Sequence, residues 1–180
     1  MPSPPGEDEP RLPIESPLEY VQRTAQDKAL RAQAWLIKQG LVQIRPNHKA
    51  AILTADTTVA FGDFVLGKPS DAQEASRILN VLGGKTHTVY TALVLSQTTA
   101  DSRSKWNQWR SLSTTQVTFA EITQKEIDDY IATGDPFGKA GAYGIQGHAA
   151  QFIKRIEGSY SGVMGLPLFE TYELIKQLHP

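Results

Sequence analysis

The chain has 180 residues, of which 40% are apolar and 21% are charged, and this composition suits one globular domain with a core. The formal net charge of −1 argues against a protein that binds nucleic acid through bulk charge. The sequence contains no cysteine, so disulfides, thiolate metal sites and a cysteine nucleophile are excluded. The N-terminus is acidic and proline-rich, and no uncharged apolar run approaches the roughly 20 residues that a membrane span needs. We therefore expect a cytoplasmic protein with no membrane or nucleic-acid partner.

The first predicted helix has clear start and stop signals. Residues 1–15 lack apolar periodicity and are predicted to be extended. Ser16 then provides an N-cap, Pro17 the first helical position and Glu19 the third residue of a capping box. Gly40 offers a C-terminal stop. These signals divide the chain into an extended segment, 1–15, and a single domain over 16–180.

Two further helices follow from similar signals. The second is expected to begin near Ser70, with Gln73 at the capping-box position, and to stop at Gly83. Thr123 and Glu126 form the capping box of the third.

Short apolar and β-branched runs predict strands between these helices. Residues 50–55 are apolar and predict a buried strand that ends at Asp56. Residues 57–66 predict two short strands around a turn, and 85–96 predict one long strand.

The second half of the chain continues this alternation. Residues 97–112 are polar and are expected to form a surface loop, whereas 113–121 alternate as a strand does. Residues 134–148 contain five glycines, which is typical of a loop whose backbone approaches something closely. A strand within 149–158 and a last helix from about Leu166 complete the pattern. The alternation of strands and helices predicts an α/β fold with a mixed sheet.

Asp56 is the strongest single candidate for chemistry. If a strand ends there, its carboxylate faces the open edge of an α/β sheet, where ligands bind. A carboxylate in that place can hold a magnesium ion or activate water. The alternative is a turn or helix-cap aspartate, which is common after strands.

Three lysines are candidates for phosphate binding. Lys68 (in GKP) and Lys139 (in GKAG) stand beside glycine, where an ammonium group can approach a phosphate, although an isolated lysine is usually a solvated surface residue. The sequence has no Walker motif, so a P-loop enzyme is excluded. Lys28 lies near the apolar stripe of the first helix, where it either extends its charge to solvent or points into a site.

Two other polar residues are weaker candidates. Gln146 (in YGIQG) has an amide that suits a nucleobase edge, although a turn-stabilising role is equally compatible. Glu9 belongs to an acidic run that composition alone assigns to a charged tail.

Taken together, four segments resemble the Maf family of nucleotide pyrophosphatases. They match the family's blocks in order and spacing, from residue 8 to about 175: ESPLEYVQRTAQDKA, ILTADTTVAFGDFVLGKPSDAQEA, GGKTHTVYTALVL and GDPFGKAGAYGIQG with RIEGSYSGVMGLPL. The resemblance implies a two-lobed α/β fold, similar to the inosine triphosphate pyrophosphatases, around a twisted mixed sheet with flanking helices. It also implies a hydrolase that cleaves nucleoside triphosphates between the α- and β-phosphates.

The resemblance further implies roles for individual residues. By position, catalytic residues of the family match these four: Glu9, Lys28, Asp56 and Lys68. Glu9 and Asp56 would hold a divalent cation, Mg²⁺ or Mn²⁺. Thr57, Gln146 and Lys139 would contact the substrate, with Thr57 and Gln146 near the base. The AYGIQG form resembles the branch that acts on dTTP and UTP, and a homodimer is implied as well.

Two departures from the family pattern motivate an alternative function. The family opens with a strand and a Ser-x-Ser-Pro-Arg-Arg loop that this sequence does not show, and Gly138 stands where the family usually has aspartate. Asp135 is a candidate substitute for that aspartate. The alternative is a catalytically weak nucleotide-binding protein, or a regulator of cell division.

Overall fold

The structure is a computed structural model that describes residues 10–42, 49–99 and 102–178, apart from the side chains of 102–104. Within these ranges, five strands form one sheet in the order β2-β1-β3-β4-β5. The strands are β1 (Ala51–Phe61), β2 (Phe64–Leu66), β3 (Thr86–Thr99), β4 (Ser102–Phe119) and β5 (Ile153–Glu157). β1 pairs with β2 in antiparallel register, Val59 opposite Leu66, and β4 pairs with β5 in the same sense.

Five α-helices accompany the sheet in the described part of the chain. They are α1 (Pro17–Lys38), α2 (Ala72–Leu82), α3 (Gln124–Ala132), α4 (Tyr160–Val163) and α5 (Leu168–Lys176). Two short 3₁₀ turns, Ala140–Ala142 and His148–Phe152, lie in the glycine-rich part of the chain. The predicted α/β class is thus confirmed. In the described ranges, none of the helices combines the length and apolar character needed to cross a bilayer.

The chain divides into two compact units, each with its own apolar core. The described residues of 1–56, 92–112 and 168–180 form the first unit, and those of 57–91 and 113–167 form the second. In the first, α1 buries small apolar side chains, and a separate cluster joins Leu93, Leu95 and Leu174 with Trp109 at its margin. In the second, α2 and α3 contribute Ile78, Leu79, Leu82, Ile127 and Tyr130 to a core that includes Val117 and Phe119.

Local capping signals were accurate where they were complete. The Ser16–Glu19 box opens α1, with Pro17 in the first turn, and the Thr123–Glu126 box opens α3. Gly40 has a φ of +65° just after α1, the left-handed conformation expected of a helix stop. α2 was misplaced by one residue, because Asp71 rather than Ser70 is its N-cap and its side chain accepts from the amide of Glu74.

Two strand predictions were wrong. β1 runs unbroken from Ala51 to Phe61, so Asp56 lies in the middle of a strand and not at its end. Residues 97–112, predicted to be a surface loop, mostly belong to the long strands β3 and β4. In that polar stretch Trp109 packs beside the Leu93 cluster, an apolar contact that the local composition does not reveal.

Candidate functional site

Lys28 and Asp56 form an ion pair inside the first unit. Asp56 is on β1, and its side chain is 11% exposed. The ammonium nitrogen of Lys28, on α1, contacts Oδ1 of this carboxylate. Of the two orientations open to Lys28 in the sequence, the structure therefore shows the one that points inward to a partner.

The second oxygen of the Asp56 carboxylate contacts Thr24. The hydroxyl of Thr24 donates to Oδ2 of Asp56, and the Thr24 residue is 2% exposed. Thr24 and Lys28 occupy positions i and i+4 of α1, so they lie on one face of the helix, a turn apart. One helical turn therefore holds both oxygens of the carboxylate.

A second charged network fixes the entry to α1. Arg23 binds Glu15 through two nitrogens, with Nε 2.6 Å from Oε1 and a terminal nitrogen 2.9 Å from Oε2. The same guanidinium donates to the carbonyl of Pro10 at 3.0 Å. The hydrogen bond from Arg23 is the main reason that the pKa of Glu15 lies below its ordinary value. This network holds the backbone of residues 10–15 against the helix.

Thr57 takes part in a chain of hydroxyl groups in the second unit. Its Oγ1 lies 2.9 Å from Oγ1 of Thr91, and Thr91 donates to the carbonyl of Gly162 at 2.8 Å. A threonine hydroxyl has one proton, and the carbonyl of Gly162 only accepts. Thr91 therefore gives its proton to Gly162, and Thr57 gives its own to Thr91. The lone pairs of Thr57 remain, so toward a ligand this hydroxyl is an acceptor.

The GKP segment and the glycine-rich loop are joined by a backbone hydrogen bond. The amide of Gly141 donates to the carbonyl of Gly67 at 3.0 Å, next to the exposed Lys68. Gly141 has a φ of +69°, and a Cβ added there would lie 2.8 Å from the Val59 side chain on β1. Only glycine fits this contact without displacement, because the backbone is left-handed and the space is occupied. The close backbone approach predicted from the five glycines is confirmed here.

Lys139 is paired with Asp135 within the glycine-rich loop. Its Nζ lies 3.0 Å from Oδ1 of Asp135, while Oδ2 accepts the amide of His148 at 3.0 Å. The hydrogen bond from Lys139 is the main cause that lowers the pKa of Asp135. Gly138 has a φ of +76°, which favours glycine at the position where the family usually has aspartate. Asp135 thus supplies a carboxylate to the lysine of this loop.

Gln146 is exposed in the same loop, in which Tyr143 belongs to a buried aromatic cluster. The ring of His87 packs edge-on against Phe119 and Tyr143, with centroid distances of 5.2 and 5.4 Å. Nε2 of His87 lies 2.8 Å from the hydroxyl of Tyr143, and burial lowers the pKa of His87 to about 4. With an uncharged imidazole at neutral pH, His87 is a structural residue that packs against Tyr143 of the loop.

The carboxylate of Asp56 has the chemistry to hold a divalent cation that a substrate also binds. Among the described residues no group of three or more His, Asp and Glu side chains is placed to hold a metal ion. Magnesium often uses one or two protein carboxylates and completes its coordination with water and substrate phosphates. Asp56 fits that role, since carboxylate oxygens are ligands that Mg²⁺ and Mn²⁺ accept.

The predicted site residues fall into two groups. Lys28 and Asp56 are brought together in the first unit, and the second contains these four: Thr57, Lys68, Lys139 and Gln146. Glu9 lies outside the described residues, so its predicted role stays a prediction. Sequence reasoning missed Thr24 and Thr91, because no local pattern distinguishes a threonine that contacts a distant side chain from any other.

Comparison with known proteins places these residues in a family. The model of the family described as "Maf-like protein" matches residues 2–178. A dTTP/UTP pyrophosphatase of Bordetella avium is 47% identical over 98% of this chain and 82% of its own length. The dTTP/UTP pyrophosphatase of Cupriavidus pinatubonensis is 48% identical over 92% of this chain and 76% of its own length. That of Burkholderia pseudomallei is 45% identical, with 95% and 77% covered. The chain belongs to the Maf family.

Proposed function

We propose that this chain hydrolyses nucleoside triphosphates, dTTP and UTP above all, to the nucleoside monophosphate and pyrophosphate. The observation that carries the proposal is the ion pair of Lys28 with Asp56, which joins two of the residues that the family resemblance singles out. The relatives named dTTP/UTP pyrophosphatase, identical at 45–48% of aligned positions, support the same substrates.

The reaction requires water to add to the α-phosphorus while the bond from that phosphorus to the bridging oxygen of the β-phosphate breaks. Pyrophosphate leaves with the bridging oxygen, and the water gives up its protons. A carboxylate such as Asp56 can orient the water and accept a proton from it. The low exposure of the Asp56 side chain, 11%, and its contact with Lys28 support an orienting role, because both limit the motion of the carboxylate.

The lysines suit the charge that develops on pyrophosphate. Ammonium groups near the leaving phosphates stabilise that charge more strongly where water is excluded. Lys28 supplies one such group in the first unit, and Lys68 and Lys139 are candidates in the second. The ion pair of Lys139 with Asp135 holds one of these charges within the loop.

We include a divalent cation, Mg²⁺ or Mn²⁺, in the proposal. Asp56 would hold it together with Glu9 and the substrate phosphates. When bound, such an ion neutralises phosphate charge and orients the oxygens of the triphosphate.

Thr57 and Gln146 are proposed to recognise the base. A carboxamide both donates and accepts, so it can read the paired donor and acceptor edge of a pyrimidine. Gln146 is exposed on the glycine-rich loop and its amide is available to a ligand.

The test is a panel of dTTP, UTP, CTP, ATP and GTP with Mg²⁺ or Mn²⁺, in which pyrophosphate and the monophosphate are measured together. We expect release from dTTP and UTP, loss of release in EDTA, and a loss of about 100-fold or more in kcat for Asp56→Asn. Asn keeps the shape of the side chain and removes its charge.

A parallel panel uses a version preceded by the family's strand and Ser-x-Ser-Pro-Arg-Arg loop. No release from dTTP, UTP or CTP by either version would reject the proposal. Tight binding of dTTP or UTP without turnover would instead favour the nucleotide-binding or regulatory alternative.

A homodimer and a cytoplasmic location complete the proposal. Light scattering on a size-exclusion column, with and without dTTP, measures the first, and fractionation of cells that express the chain measures the second. A mass of one chain at all concentrations would reject the dimer.

A further inference from the structure

We infer that Thr24 is a positioning residue that fixes the orientation of the Asp56 carboxylate, an inference that rests on the proposed function. The hydroxyl of Thr24 donates to Oδ2 of Asp56, whereas Lys28 contacts Oδ1. Each side chain on α1 thus holds a different oxygen of the same group.

The helix fixes the place of the Thr24 hydroxyl. Its Oγ1 lies 2.9 Å from the carbonyl oxygen of Tyr20 and 3.1 Å from that of Val21. These distances are typical of the threonine rotamer that turns its hydroxyl back onto the preceding helical turn. The residue is also 2% exposed, so solvent does not compete for the hydroxyl. The oxygen that meets Asp56 therefore has a defined position.

The Thr24 hydroxyl donates its one hydrogen bond to Asp56. A threonine has one proton, and three acceptors surround it. The two backbone carbonyls already accept amide hydrogen bonds within α1, and they are neutral. The carboxylate carries a charge, and hydrogen bonds to a charged acceptor are about twice as strong as neutral ones.

Contacts at both oxygens fix the orientation of the Asp56 carboxylate, whereas a contact at one oxygen does not. The terminal torsion of an aspartate is broad, so a carboxylate that is held at one oxygen can still rotate about its Cβ–Cγ bond. With Oδ1 held by Lys28 and Oδ2 by Thr24, the plane of the Asp56 carboxylate is fixed. The remaining lone pairs then point in constant directions, toward whichever water or ligand Asp56 orients. Preorganisation of this kind acts on the chemical step more than on substrate binding.

The decisive variants are Thr24→Val and Thr24→Ser. Valine has the same branched shape and removes the hydroxyl, whereas serine keeps it. We expect kcat for dTTP to fall about tenfold or more in Thr24→Val, with KM much less affected, since a hydrogen bond to a charged group has about that effect. Thr24→Ser should remain within about threefold of the native chain, because the donor is retained.

Thr54→Val is the matched control. Thr54 lies on β1, two positions before Asp56, and its hydroxyl oxygen lies 3.2 Å from the carbonyl oxygen of Ala25 and 3.4 Å from that of Val94. Loss of this hydroxyl removes backbone contacts and leaves the carboxylate held. Its kcat should stay near the native value, and thermal melting of Thr54→Val and Thr24→Val reports whether both variants fold alike.

A double variant separates a direct role from an indirect one. If Thr24 acts through Asp56, then Thr24→Val in the Asp56→Asn background causes no further loss of kcat. A further loss in the double variant, or a Thr24→Val kcat within about threefold of native, would overturn the positioning role.

Carbon NMR of aspartate labelled at Cγ gives a readout that does not depend on activity. The Asp56 resonance is identified by its disappearance in Asp56→Asn. We expect it to move in Thr24→Val and to stay in place in Thr24→Ser and Thr54→Val. An unmoved resonance in Thr24→Val overturns the inference, whereas native chain that releases no pyrophosphate overturns the proposed function instead.

Discussion

The ammonium group of Lys28 pairs with Oδ1 of Asp56, although 28 positions separate the two residues in the chain. The pair joins α1 to the middle of β1, and the side chains are 34% and 11% exposed. A carboxylate so little exposed depends on its partners, because an unpaired charge in such a place is costly.

Lys28→Met keeps most of the aliphatic stem and removes the charge. We expect kcat/KM for dTTP to fall by about 100-fold, since one stabilising group near a developing phosphate charge contributes on this order. Lys125→Met is the control, because Lys125 pairs with Asp129 on the exposed face of α3 with its side chain 83% exposed. Pyrophosphate release measures both. Equal losses in the two variants would assign the effect to general charge and not to the site.

Gly141→Ala tests the contact that joins the glycine-rich loop to β1. The added Cβ meets Val59 at 2.8 Å in a left-handed backbone, so the variant should be about 2 kcal/mol less stable or more. Gly134→Ala is the control, because it has a φ of +76° and no atom within 4 Å of the added Cβ. Denaturant unfolding measures the free energy of unfolding in each case. A loss in Gly134→Ala as large as that in Gly141→Ala would show that backbone strain alone is responsible.

Glu15→Gln tests the network that holds the entry to α1. The pKa of Glu15 in the folded chain lies below the ordinary 4.5, mainly because of the hydrogen bond from Arg23. The carboxylate therefore contributes stability above about pH 4.5, and the contribution is lost as the pH falls through the lower, folded pKa. We expect the variant to be about 2 kcal/mol less stable at pH 7, with a difference that shrinks below about pH 4.5.

Unfolding curves between pH 7 and pH 3 measure this difference for Glu15→Gln. The matched control is Glu157→Gln, because Glu157 pairs with Arg155 while both side chains are 70% exposed. The control should follow the native curve throughout, since exposed ion pairs contribute little. A pH-independent gap between native chain and Glu15→Gln would contradict the role of the charge.

Thr91→Val tests whether the hydroxyl chain contributes to the choice of base. In the native chain Thr57 donates to Thr91, so toward a ligand its hydroxyl is an acceptor. N3 of thymine and uracil donates, whereas N3 of cytosine accepts, so an acceptor at Thr57 favours dTTP and UTP over CTP if it meets this edge. Thr91→Val frees the proton of Thr57, and we expect the preference for UTP over CTP to shrink about threefold to tenfold.

The ratio of kcat/KM for UTP and CTP measures this effect of Thr91→Val. Thr118→Val is the control, because Thr118 pairs with Thr86 through exposed hydroxyls at 2.8 Å. An unchanged ratio in Thr91→Val would show that the base does not contact the hydroxyl of Thr57.

The features of the fold that could be predicted are those determined by residues close together in the sequence. The boxes at Ser16 and Thr123 use residues three positions apart, so the sequence displays both partners together. The long strand β3 is visible because its β-branched residues are contiguous. The loop glycines were recognised for the same reason.

The features that the sequence did not predict depend on contacts between residues far apart in the chain. A charged residue normally ends an apolar run, yet β1 continues through Asp56, because the charge is met by Lys28 and Thr24 from α1. Likewise the polar residues of 102–112 form a strand beside β3, where Trp109 finds apolar neighbours. Of the site, the sequence with its family resemblance indicated Lys28 and Asp56, but it contained no sign of Thr24 or Thr91.

The spacing of Thr24 and Lys28 on one turn of α1 has a consequence for chimeric enzymes. Asp56 in β1 and its two partners in α1, Thr24 and Lys28, have to be exchanged together, even though they come from separate segments. A β1 strand taken from a relative should function only together with the matching turn of α1. A one-residue insertion in α1 between Pro17 and Thr24 would move both Thr24 and Lys28 out of register with Asp56.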